Sequence, residues 1–162
     1  MRTIVLGVGN PILSDDGVGI HVAKDLKNQI NHPSITIDEA LTGGMNLLDL
    51  ILGYDKAIII DAIKTKNTKN GEVRKFSLSD ISTVHSCNPH DVSLLEAVEM
   101  AERLGEKRIP CEILIIGISM DKIPCEFGET LSKNIAAAVP KAVEMVMNEL
   151  KKDVNWSQEK LT

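Results

Sequence analysis

Aromatic residues are nearly absent from this 162-residue chain, where one Trp, one Tyr and two Phe make up 2% of the total. The core must therefore be aliphatic, and the scarcity argues against a base-stacking surface for single-stranded nucleic acid. An excess of basic charge is also lacking. The formal net charge is −5, which is unfavourable for a phosphate-backbone binder. No apolar run approaches the roughly 18 residues that a membrane span needs. Residues 1–8 are too short for a signal peptide and have no small-residue cleavage site, so they read as a first strand. Cysteine is sparse and odd in number, at three. Free thiols and a cytoplasmic location are expected. Internal repeats and low-complexity segments are missing as well.

What is present is a chain of single-domain length, 43% hydrophobic, with enough interior for a core. Residues 7–19 read GVGNPILSDDGVG. An apolar run (Ile4, Val5, Leu6) leads into this stretch and a helical pattern (Val18, Val22, Leu26, widened by Ala23 and Ile30) leaves it. Its close glycines permit unusual backbone angles and close approach of a second group. Pro11 fixes a turn, and Ser14, Asp15 or Asp16 is placed to cap the helix.

Further along, residues 34–38 alternate as a second strand, and residues 45–52 form a short, mostly buried helix. Residues 56–62 (KAIIIDA) mark the sheet centre, with Asp61 at the carboxyl end. Residues 72–78 read as an edge strand, antiparallel to the strand at 56–62. Leu94, Leu95, Val98 and Ala101, extended by Leu104, give another amphipathic helix. Residues 111–119 form a buried strand with Cys111 in the core. A long final helix, expected to kink at Pro140, precedes a polar tail at 153–162. Strands alternate with helices, so the fold class is α/β. A three-layer architecture follows, with a mostly parallel, twisted sheet of about five strands and helices on both faces. One domain over residues 1–152 is expected.

Asp16, Asp61 and His90 lie far apart in sequence, yet Asp16 follows the first strand and Asp61 ends the central one. If those strands are parallel neighbours, both carboxylates reach the same sheet edge, where open α/β sheets bind ligands. Two carboxylates and one imidazole suit nickel, zinc, iron or manganese, and three protein ligands leave positions open. Taken singly, Asp16 reads equally well as a helix-start charge, whereas His90 reads better as a helix-start residue in a polar loop. Asp61 is harder to dismiss, because a carboxylate after three isoleucines must meet a partner or an opening. His85 and Cys87 do not complete a strong zinc spacing. A cysteine nucleophile at Cys87 has no neighbour that marks a lowered pKa. Cys125 reads as a loop thiol. GVGN is not a dinucleotide fingerprint either, since Ile12 stands where the third glycine belongs.

GVGNPILSDDGVG, the IIIDA strand and NPHDVSL before a helix together resemble the nickel-iron hydrogenase maturation endopeptidases. The resemblance covers essentially residues 1–150. It implies an α/β protease that removes a carboxyl-terminal extension from the [NiFe] hydrogenase large-subunit precursor after nickel insertion. Asp16, Asp61 and His90 fall on that family's metal-contacting positions, and position 16, often Glu there, is Asp here. Nickel is then supplied by the substrate, with zinc or cadmium as possible occupants and no organic cofactor. Asp16 and Asp61 are the catalytic candidates, with the general base unassigned between them. No nucleic acid or membrane partner is implied, and a monomer is expected. Ala40 and Leu41 before Thr42-Gly43-Gly44 depart from the family's usual glycine pair. Peptidyl-tRNA hydrolases share the strand and Gly-Asn-Pro opening but would carry a different pair of residues after it. A non-catalytic nickel-sensing chaperone with the same ligands is a third reading.

Overall fold

The computed structural model describes residues 1–41, 45–64, 69–83, 85–86, 90–121 and 127–154. Three strands form the centre of the molecule: β1 (Thr3–Val8), β3 (Lys56–Lys64) and β6 (Glu112–Met120). Their near-continuous apolar sequence follows from burial on both faces. β2 (Ile35–Ala40) and β4 (Val73–Ser77) take the two edges, giving the order β2-β1-β3-β6-β4. All neighbours are parallel except β4, which runs antiparallel to β6. A two-residue strand, β5 (His85–Ser86), pairs antiparallel with the end of β3 at Ile63 and Lys64.

Two helices cover each face. α1 (Val18–Gln29) and α4 (Lys133–Asp153) pack with Val5, Ile58, Ile60 and Ile116 on one side. α2 (Met45–Ile51) and α3 (His90–Arg103) pack with Ile4, Leu6, Ile59 and Ile115 on the other. Alternate residues of each central strand thus feed opposite cores, as a period of two requires. The expected three-layer α/β architecture is the one observed. Among the described residues, no helix is long and apolar enough to cross a membrane.

Several local expectations are corrected. β4 does not pair with β3, because β6 lies between them and offers β4 its outer edge. Cys111 is exposed rather than in the core. It precedes β6 at the amino edge of the sheet, where its N–H donates to the Asp55 carbonyl at 2.9 Å, and burial begins only at Ile113. Leu104 lies beyond the end of α3 and is 80% exposed. α4 runs uninterrupted through Pro140, which stands on its exposed side. Cys87 and Cys125 lie outside the described residues.

The amino edge of the sheet holds a charge cluster that the sequence pattern did not disclose. Lys56 is buried, and its Nζ reaches Asp153 Oδ2 at 2.7 Å, Glu149 Oε2 at 3.5 Å and Glu112 Oε2 at 3.8 Å. Lys75 and Lys152 donate to Glu149 Oε1. Burial by itself raises the Glu149 pKa, but the hydrogen bonds from Lys75 and Lys152 outweigh it and bring the carboxyl down to about 2. Glu149 therefore stabilises the fold fully above its unfolded value of 4.5, and that contribution is lost as pH falls toward 2. Urea midpoints measured across this window should fall with pH. Glu149→Gln should flatten that slope and cost on the order of 2 kcal/mol at neutral pH. An unchanged pH slope in the variant would contradict this assignment.

Candidate active site

The strand order reverses between β1 and β3. From β1 the chain crosses to β2 on one side, then returns to form β3 on the other. In open α/β sheets the crevice beyond the carboxyl ends at such a point is where ligands bind. Asp16 and Asp61 both lie there.

Asp61 is the first residue of β3 beyond its ladder with β1, which ends at Gly7↔Ile60. On the other side it pairs with Gly117 of β6. Strand alternation puts it on the face of Ala57 and Ile59, toward α2 and α3. It is wholly buried at 0% exposure, and its Oδ1 accepts the Ala62 N–H at 2.8 Å. A carboxylate held in this aliphatic surrounding is costly unless something charged or polar meets it.

Asp16 belongs to a short 3-10 turn (Ser14–Gly17) that links β1 to α1 and lies against β3. It is 5% exposed. Its Oδ2 accepts the Asn10 N–H at 2.9 Å, so the carboxylate folds back over the turn instead of capping α1. Among the described residues no side chain caps α1, whose N-cap is Gly17. Asp15 serves a different helix: its two oxygens accept from the Ser132 N–H at 2.7 Å and Oγ at 2.8 Å, at the start of α4. Ser14 adopts a left-handed φ of 51°. It is held there by its N–H to the Gly128 carbonyl at 2.8 Å and its Oγ to the Thr130 carbonyl at 2.9 Å. Strain of this kind persists only where the surroundings over-determine it. The loop after β6 therefore clamps the turn that carries Asp16.

His90 is the first residue of α3. Since α3 leads into β6, which is parallel to β3, its amino end stands at the same carboxyl edge. The preceding β5 pairs with β3 only two residues beyond Asp61. The His90 side chain lies outside the described residues. Among those described, no group of three metal-ligating side chains is assembled. The backbone thus gathers all three sequence candidates at one edge, and two of the three side chains are seen there.

One neighbour of these carboxylates was legible only as a turn signal. Asn10 receives the Ile12 N–H on its Oδ1 at 3.2 Å and the Leu13 N–H on its carbonyl at 3.1 Å. Its role in holding Asp16 is written in backbone geometry, and the Asn-Pro pair was the only trace of it in the sequence.

A family model described as hydrogenase maturation protease (HycI) matches residues 20–149. The chain belongs to the hydrogenase maturation protease family. The match contains Asp61 and His90 and begins after Asp16. The hydrogenase 2 maturation protease of Escherichia coli K12 is 27% identical over 154 residues, covering 93% of this chain and 92% of the relative. A putative hydrogenase maturation protease of Methanocaldococcus jannaschii is 25% identical, covering 92% of this chain and 96% of the relative. In structure, the chain is similar to the hydrogenase maturating endopeptidase HybD from E. coli, with a TM-score of 0.80 at 25% identity, covering 94% and 93% of the two chains. It is also similar to the [NiFe] hydrogenase maturation protease HybD from Thermococcus kodakarensis, with a TM-score of 0.69 at 29% identity, covering 92% and 99%. This member of the family is accordingly a hydrolase, a peptide-bond endopeptidase acting in hydrogenase maturation. Membership places it with the proteases rather than with the peptidyl-tRNA hydrolases or a non-catalytic chaperone.

Proposed function

We propose that this maturation protease removes a carboxyl-terminal extension from a [NiFe] hydrogenase large-subunit precursor, and that Asp16, Asp61 and His90 recognise nickel carried by that substrate. The observation that supports this reading is the pair of buried carboxylates flanking the strand-order reversal, one after β1 and one on β3. His90 begins the helix that opens at the same edge. Two carboxylates and an imidazole form a donor set suited to a borderline divalent ion, and they leave coordination positions for groups the substrate brings. A divalent ion polarises a nearby peptide carbonyl and yields a stronger nucleophile from bound water at neutral pH. Carboxylates without a resident metal stay inert until the metallated substrate docks, which couples cleavage to correct metal insertion. Asp16 and Asp61 are the two candidates for the general base.

Mass spectrometry of nickel-loaded precursor, with and without the protease, tests the reading. Loss of one defined terminal peptide is expected, and His90→Ala should abolish it while circular dichroism stays unchanged. Binding of the precursor without peptide loss would overturn the proposal.

A further inference from the structure

The turn that carries Asp16 presents another polar group, on Asn10. The Ile12 N–H can only donate, so the Asn10 side-chain oxygen must face it at 3.2 Å, and Nδ2 must face away. The Asn10 N–H is engaged by Asp16 Oδ2 at 2.9 Å and its carbonyl by the Leu13 N–H at 3.1 Å. Three of the residue's four hydrogen-bonding groups are therefore fixed by the protein. No protein acceptor among the described residues takes the fourth, Nδ2. Pro11 follows directly and removes a torsional freedom from the turn. The result is an N–H donor turned away from Ile12, on a half-buried residue whose backbone N–H holds the Asp16 carboxylate, just past the carboxyl end of β1.

A turn of this kind needs only the side-chain oxygen, which Asp supplies as well as Asn. The amide nitrogen is surplus to the fold. Peptide hydrolysis is accelerated by such a donor, because charge develops on the scissile carbonyl oxygen and a preorganised N–H stabilises it without reorganisation.

We propose that Asn10 is a catalytic residue of this endopeptidase, with Nδ2 donating to the oxygen of the scissile carbonyl. The inference rests on the substrate reading above. In the step it serves, the water oxygen bonds to the carbonyl carbon and the π pair moves onto the carbonyl oxygen, which Nδ2 holds. Collapse of the adduct restores the C=O bond and breaks the C–N bond. A proton from the water ends on the departing nitrogen, so one peptide and one water give one carboxylic acid and one amine.

Asn10→Asp keeps the acceptor for Ile12 and removes the donor. Asn10→Ala removes both and adds no charge next to Asp16. Each is assayed on nickel-loaded precursor beside wild type and Asp61→Asn, with melting curves recorded for all four. In both Asn10 variants kcat should fall roughly 100- to 1,000-fold with KM nearly unchanged, and Asn10→Asp should melt near wild type. Retention of wild-type kcat by either variant would overturn the role for Asn10. If wild type itself releases no terminal peptide, the substrate reading fails, and this inference fails with it. An active wild type with equally active Asn10 variants rejects this inference alone.

Discussion

Asp61→Asn is expected to cut precursor at least about a thousandfold more slowly than wild type while melting at the same temperature or higher. The two side chains have nearly the same shape, and the Asn oxygen can still accept the Ala62 N–H that Asp61 Oδ1 now accepts at 2.8 Å. What changes is the charge. A wholly buried carboxylate between Ile60 and Ala62 carries a desolvation cost that the neutral amide does not. If Asp61 were there for the fold, removing its charge would lower stability and leave turnover intact. If it is there for the reaction, stability holds or rises while activity disappears, as at other sites where function is kept at the expense of stability. Thermal melts and single-turnover cleavage on the same preparation separate the two. Full activity in a stable Asp61→Asn protein would remove Asp61 from the site.

The largest stability effect is expected at Gly19, in the first turn of α1. A Cβ there would stand 2.3 Å from the Ile60 carbonyl oxygen and 2.6 Å from that of Val8. Gly7 is its counterpart on β1, where a Cβ would stand 2.2 Å from the Gly19 carbonyl oxygen and 2.7 Å from the Ala23 Cβ. The two glycines let α1 lie directly on the backbones of β1 and β3, and this contact sets how close the Asp16 turn comes to β3. Helix propensity alone predicts that Gly19→Ala stabilises by about 1 kcal/mol. Backbone overlap of this size works the other way, because the obstructing atoms are carbonyls of central strands and cannot rotate aside. Overpacking costs about 1–3 kcal/mol and occasionally more, and overlap with two backbone carbonyls belongs at the upper end, so the collision wins. For a domain of this length the net loss corresponds to a fall in Tm of about 5–10 °C. Calorimetry decides the sign, and a rise in Tm would show that α1 can shift without cost.

Much of this was legible in the sequence, for identifiable reasons. β1, β3 and β6 are buried on both faces, and their apolar runs say so without a partner being known. Asp61 stood out because a charge after three isoleucines needs explaining. The pairing of β4 was not legible, since an edge strand with the same alternation can join any free edge. Cys111 was misplaced because an apolar residue type beside an apolar run reads as part of it. The close approach that glycines permit was expected, but its object proved to be the protein's own backbone. Asp15 and Asp16 looked interchangeable as caps, yet one binds Ser132 at the start of α4 and the other binds Asn10 beside the crevice. Only the tertiary position of α4 separates them. The Lys56–Glu149 cluster joins residues far apart in the chain, which no local pattern records.

In the proposed function the metal arrives with the substrate. Nickel-free and nickel-loaded precursors should be incubated side by side with the protease, with metal content measured on each partner before and after. Release of one terminal peptide is expected from the nickel-loaded precursor only, by a protease that starts largely metal-free, with no rescue of the nickel-free form by added zinc. Efficient cleavage of nickel-free precursor by a tightly zinc-loaded enzyme would contradict it.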